Sequence, residues 1–281
     1  VQGFFVGGEY DGAAIYVIEH LGEKYHYTAS AVTRGIGVMG LLLGVASVNI
    51  FNTSIFPSWS WRIPFMLSLP LAFLTIYCRQ FLVETPEFVY SAKQKIKISG
   101  ICIFIKRNSK KLVMIIFLAG GFGSTYQLTI IFMKQYLSIV LPMSSTTITS
   151  FSIITVIIFG VSMPIAGFCA DKFGKMIVVK LSLLCTLTSS ILIAIGITRQ
   201  IIDLTLISGV ILAASVAPLN ALAHGVMVKV FSVNERYRGV SFGHTIGSML
   251  MSGTAGYISL YFIKEYKMML FPVMYIVFFS I

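Results

Sequence analysis

The sequence predicts an all-α polytopic membrane protein, and three observations carry that prediction. Hydrophobic residues make up 57% of the 281 and charged residues 11%, against about 25% charged in an ordinary soluble domain. The apolar residues fall in long blocks, and a run of roughly 20 apolar residues spans a bilayer as a helix that satisfies its own backbone. The charges sit between the blocks, and their sign is uneven.

Nine apolar segments can be counted, at about 1–19, 30–52, 62–80, 112–133, 148–170, 177–198, 202–228, 238–263 and 268–281. The last is short for a span, and the first is expected to lack its beginning. Both chain ends fall inside apolar segments, which reads as truncation. The ten-residue alternating segments of a membrane β-barrel are absent from the sequence. One long connection, 81–111, is rich in Lys and Arg and partly amphipathic, so it is expected to lie along a membrane surface.

Loop charge sets the topology. With the 81–111 linker placed in the cytoplasm and the spans alternating, 15 Lys and Arg face the cytoplasm: Lys24, eight between Arg79 and Lys111, then Lys172, Lys175, Lys180, Lys229, Arg236 and Arg238. The other side holds five: Arg62, Lys134, Arg199, Lys264 and Lys267. The chain thus divides into 1–80, a basic cytoplasmic linker over 81–111, and a six-span segment over 112–281. The same distribution explains the net charge of +11 as topology. A nucleic-acid binder would gather that charge on one basic face.

The remaining signals are mostly negative. The four cysteines, Cys78, Cys102, Cys169 and Cys185, form no CxxC pair, and no Cys/His cluster has metal-ligand spacing. HExxH, GxSxG and Walker-type loops are absent from the sequence. Neither an enzyme, a cofactor nor a metal is expected. Trp59 and Trp61 fit an interfacial aromatic belt.

Several stretches then resemble a known family. Gly167-Phe-Cys-Ala-Asp171-Lys172-Phe-Gly174-Lys175 is similar to the GxxxDRxGR loop of the major facilitator superfamily, and lies between the second and third helices of a six-helix half, as it does there. In this loop Gly167 permits close helix packing. Asp171 can pair with bases or cap a helix N-terminus. Gly174 permits the tight turn, and Lys172 and Lys175 hold the loop on the cytoplasmic side.

Four more stretches resemble the metabolite–proton symporter family, which includes proline/betaine, α-ketoglutarate, citrate and shikimate transporters. Val1 to Tyr10 is similar to its QGxxxGGEW stretch, Trp61 to Phe65 to its WRIPF stretch, Glu84 to Phe88 to its ETPxF stretch, and Arg236 to Gly243 to its RYxGVSxG stretch. They occur in the family's order. The resemblance implies a major facilitator-type bundle with about nine of twelve membrane helices: helices four to six over 1–80 and seven to twelve over 112–281. It further implies proton-coupled uptake of a small organic solute, a proline/betaine-like osmolyte or a carboxylate, by alternating access in a bacterial inner membrane. The expected partners are that solute, protons and the lipid bilayer, without nucleic acid. The alternative is a non-transporting fragment or degenerate product of such a transporter.

Ionisable residues within spans are the first site candidates. Glu9 matches the family's membrane-embedded Glu and could take a proton or solute, or make a helix-packing hydrogen bond. Asp11 stands where the family usually has Gly, and it interrupts a small-residue stripe with Gly3 and Gly7. It points about 200° from Glu9 around the helix. Arg34, at similar depth on the next, antiparallel helix, is its expected ion-pair partner; the alternative is that Arg34 snorkels to the interface. Tyr126, Gln127 and Thr129 form a polar patch after the glycine-rich Gly120, Gly121 and Gly123, suited to a cavity or to helix–helix hydrogen bonds. Asn220 and His224 share a helix face beside Pro218, for solute binding or simply near the cytoplasmic mouth. His244 departs from the polar residue usual in its motif.

Overall fold

The structure is a computed structural model that describes residues 2–51, 53, 55–93 and 100–280, with only the backbone described at 2–9, 49, 88 and 91–93. Among the described residues the chain is helical without strands. Seven helical stretches are long and apolar enough to cross a membrane: Glu23–Val48, Ser60–Arg79, Ser109–Val140, Ser145–Phe173, Lys175–Thr198, Ile202–Val228 and Val233–Tyr266. These correspond to seven of the nine apolar segments. The other two are the 20-residue helix α1 (Gln2–Leu21), which holds Glu9, Asp11 and Glu19, and the ten-residue terminal helix α14 (Phe271–Ser280).

After α1 come α2 (His26–Phe51), then α3 (Ile63–Met66) and α4 (Ser68–Arg79), which together cover one stretch. The linker contains two short helices, α5 (Pro86–Lys93) and α6 (Ile101–Arg107). Helix α7 (Ser109–Tyr126) passes through a π-helical stretch, Gln127–Phe132, into α8 (Met133–Val140). Helices α9 (Ser145–Phe173), α10 (Lys175–Thr198) and α11 (Ile202–Val228) follow, α11 running unbroken through Pro218. Helix α12 (Val233–Gly247) passes through a second π-helical stretch, Ser248–Ser252, into α13 (Gly253–Tyr266).

Small residues set the packing, as expected where lipid removes the hydrophobic drive between helices. A Cβ on Gly247 would lie 2.3 Å from the Ile116 carbonyl oxygen and 2.9 Å from the Gly120 nitrogen, so α7 and α12 cross backbone to backbone. The glycine-rich part of α7 therefore packs closely, and the helix changes its winding just beyond it. A Cβ on Gly167 would lie 2.5 Å from Ala31 Cβ and 2.7 Å from the Tyr27 carbonyl oxygen, which brings α9 onto α2.

Two apolar clusters result. The larger joins α9 and α11, around Phe159, Met163, Leu212 and Val216. The smaller gathers Ile15, Ile18, Phe104, Ile115, Met227 and Val240, where α1, α6, α7, α11 and α12 meet. That second cluster lies at the end of the bundle that carries the basic connections. By contrast α4 buries no side chain.

Candidate functional site

Among the described residues, several polar contacts bridge the helices before the linker to those after it, and two of them are groups of mutually paired ionisable side chains. The first is buried. Asp11 on α1 is 1% exposed and His224 on α11 is fully buried, and His224 Nε2 lies 2.7 Å from Asp11 Oδ1. His244 Nδ1, from α12, lies 2.9 Å from the same oxygen. Arg34 on α2 approaches the opposite face of His224, with Nη1 2.7 Å from Nδ1. Tyr10 completes the group: its ring meets His224 edge-on at 5.5 Å and stacks on His244 at 6.3 Å, and the Arg34 guanidinium lies 6.0 Å above it.

Donor and acceptor rules settle the hydrogens. A guanidinium only donates, so Arg34 donates to His224 Nδ1. The His224 hydrogen is therefore on Nε2 and points at Asp11. The Asp11 carboxylate only accepts, so His244 donates from Nδ1. The sequence reading expected a direct Asp11–Arg34 ion pair. Among the described residues the two are instead joined through the His224 imidazole, because α11 inserts its histidine between them. One atom stays unsatisfied: Asp11 Oδ2 is buried with no hydrogen-bond partner.

Asp11, His224 and His244 are a donor set that could hold a metal ion by residue type, with their ligand atoms within 4.8 Å of one another. The hydrogen pattern argues against it. A metal on His224 Nε2 needs the lone pair there, which moves the hydrogen to Nδ1, where the Arg34 N–H already points. The guanidinium charge beside the site opposes a dication as well.

The second group lies at the basic end. Arg236 at the start of α12 donates to Glu19 Oε1 of α1 at 2.6 Å and to Glu87 Oε2 of α5 at 2.5 Å. Thr85 Oγ1 donates to the other Glu19 oxygen at 2.5 Å. Arg107 pairs with Glu235. A cavity of about 500 Å³ beside these residues is lined by Gly12, Tyr16, Glu84 and Tyr237, among others.

Asp171 closes the same end. Its carboxylate accepts from the Tyr27 and Thr28 backbone N–H groups at 2.9 and 2.7 Å and from Thr28 Oγ1 at 2.7 Å. It thus caps α2, a helix from the other side of the linker, where the helix dipole favours an anion. Gly174 turns the chain at φ 95°. Lys175 lies 5.8 Å over the Tyr27 ring, and Lys172 lies over Phe173.

The other sequence candidates divide. The Glu9 side chain lies outside the described residues. Asn220 is buried and donates to Thr125 Oγ1 at 3.5 Å and to the Val216 carbonyl at 3.3 Å, while its Oδ1 has no partner. It thus joins α11 to α7 rather than joining His224 in one group. Tyr126 is half-buried against Phe159 at 5.4 Å, and Gln127 opens the π-helical stretch. The sequence reading gave no site role to Tyr10, Glu19 or His244. The one signal available was that His244, like Asp11, departs from the family pattern.

Residues 1–99 match the family described as sugar (and other) transporter. The chain is 27% identical to the glycine betaine/proline/ectoine/pipecolic acid transporter OusA of Dickeya dadantii, over 98% of the chain and 58% of that relative. The proline/betaine transporter of Escherichia coli K12 gives the same figures. The alpha-ketoglutarate permease of E. coli K12 is 24% identical over 92% of the chain and 60% of its own length. Over nearly its whole length the chain is therefore similar to bacterial solute transporters. It spans less than two thirds of the length of these curated relatives. The relatives are transporters rather than enzymes, and the helical, multi-pass architecture agrees with them.

Proposed function

We propose that the chain is part of a secondary active transporter that couples proton entry to uptake of a small organic solute by alternating access. In this reading 1–80 belongs to one half of the bundle, 112–281 to the other, and 81–111 is a cytoplasmic linker. The observation that carries it is the Arg34–His224–Asp11–His244 chain, buried at Asp11 and His224, between the two parts. Ionisable side chains at membrane depth cost about 2.5–3.5 kcal/mol each, and here they sit on the surface along which the halves would move.

The basic end is then the cytoplasmic gate, drawn in its closed form. Arg236, Glu19, Glu87 and the Asp171 cap all cross between the parts there. Glycine and proline contacts continue the α2–α9 packing as far as Gly160 with Val38 and Met39. Beyond, Gly40 and Gly44 of α2 have nothing within 4 Å of a built Cβ. A zwitterionic or carboxylate solute, as in the names of the relatives, would find Arg34 as its cation partner and Tyr126, Gln127 and Asn220 as polar neighbours.

The test is uptake of labelled proline, betaine and α-ketoglutarate by proteoliposomes of the complete protein, with and without an inward proton gradient. Accumulation of one of them that needs the gradient is expected. Equal uptake with and without the gradient would remove proton coupling, and no uptake of any organic solute would overturn the transporter reading.

A further inference from the structure

Asp11 and His244 are two departures from the family pattern, yet they meet at 2.9 Å across α1 and α12. The His224 between Asp11 and Arg34 makes the four helices α1, α2, α11 and α12 one electrostatic unit. As drawn, the unit is neutral: Arg34 carries one positive charge, Asp11 one negative, and His224 holds a single hydrogen on Nε2. Asp11 accepts on Oδ1 alone, and its buried Oδ2 is unsatisfied. A buried carboxylate in this condition is poised to gain a closer cation.

His244 is the residue placed to become that cation. Its Nδ1 hydrogen is already committed to Asp11, and its side chain is 17% exposed, while His224 is fully buried. His224 is a poor acceptor for an added proton, because its Nδ1 faces the Arg34 guanidinium. The groups facing this unit are Tyr10 on α1, Arg34 on α2 and Tyr126 on α7, which lies within electrostatic reach of Tyr10 and Arg34. Glu19 and Arg236, on the same helices, are paired with each other at the basic end.

We propose that Asp11, His224 and His244 form one proton site, in which a proton taken up by His244 gives Asp11 its counter-charge and releases the Arg34 guanidinium from His224 Nδ1 for the carboxylate of a solute. The step balances. A proton from water forms an N–H bond at the His244 Nε2 lone pair, and no other bond breaks. The imidazolium then neutralises Asp11, and Arg34 is left with a charge that an incoming carboxylate neutralises. Proton and carboxylate each favour the binding of the other, by the same factor. Entry of either alone leaves an unpaired charge at membrane depth, which is the coupling. This inference rests on the transporter reading for its solute, but the proton site itself does not.

The experiment uses the complete protein in detergent with ¹⁵N-labelled histidine, titrated from about pH 8 to about pH 5, the range in which imidazoles change charge. The expected result is that His244 gains a second N–H and that the Nδ1 signal of His224 changes in the same step, as Arg34 leaves it. Independent changes at the two histidines, or no change at His244, would overturn the site. Binding of proline and α-ketoglutarate is then measured with an indicator dye. About one proton is expected to be taken up per solute in the unmodified protein and none in His244→Gln. Affinity is expected to fall as pH rises from about 5 to about 8 in the unmodified protein and to be flat in the variant. Proton uptake unchanged in His244→Gln would overturn the proposal. If neither solute binds, the coupled histidine signals still decide the proton site, and the missing binding counts against the transporter reading alone.

Discussion

The two groups of paired ionisable side chains that tie the early helices to the later ones differ in their access to water. At the basic end the outer ion pairs reach water, with Glu87 46% exposed and Arg107 60%, and Glu19 beneath Arg236 is largely covered, at 6%. Pairs of this kind can break and reform, since solvent compensates each partner. In the middle, Asp11 and His224 are shut away from solvent, and each charge depends on its fixed neighbours. The wet end suits a latch that opens; the dry centre suits a switch that exchanges one partner for another.

The largest effect should come from breaking the dry group. Asp11→Ala leaves the buried His224 N–H and the part-buried Arg34 behind it without their anion and is expected to lower stability by roughly 3–5 kcal/mol. The double substitution Asp11→Ala with Arg34→Leu should recover most of that loss in a denaturation assay. If the double variant is as unstable as the single one, the two residues are not coupled through His224.

Arg236→Ala comes next, because it releases Glu19, which is only 6% exposed. Losing a hydrogen-bonded charge partner is expected to cost roughly 1.5–3 kcal/mol. Hydrogen exchange should rise in α5 and at the end of α1 while the α9–α11 core is unaffected. Asp171→Ala removes the cap of α2 and is expected to cost about 1 kcal/mol, seen as faster exchange at Tyr27 and Thr28. The smallest effect belongs to Glu87→Gln, expected below about 1 kcal/mol and vanishing in high salt. A salt-independent loss of several kcal/mol at Glu87 would erase the contrast between the two regions.

The fold was legible because bilayer thickness imposes block lengths on the sequence. Two segments resisted. Helix α1 holds three acidic residues, and α14 is only ten residues long, so neither reads as a plain span. The site was legible only between neighbours. Matching depths along antiparallel α1 and α2 brought Asp11 near Arg34, but depth matching cannot see a third helix. His224 is 190 residues from Arg34 and 213 from Asp11, so only tertiary packing places its ring between them. Glu19 and Arg236 entered the sequence reading as motif or loop charges, and their pairing also depends on the α1–α12 contact. The Asp171 cap was one of two roles open to that residue, and the position of α2 selects it.

The central claim is that the basic end is a gate between two moving parts. It is tested most directly by spin-label distances on the complete protein in liposomes. One pair, at Lys24 and Phe173, spans the basic end; the other, at Ile55 and Ser144, spans the opposite end. On adding transported solute at acidic pH, the first distance should lengthen and the second shorten within the same population. Two distances that stay fixed, or that lengthen together, would contradict alternating access about this interface.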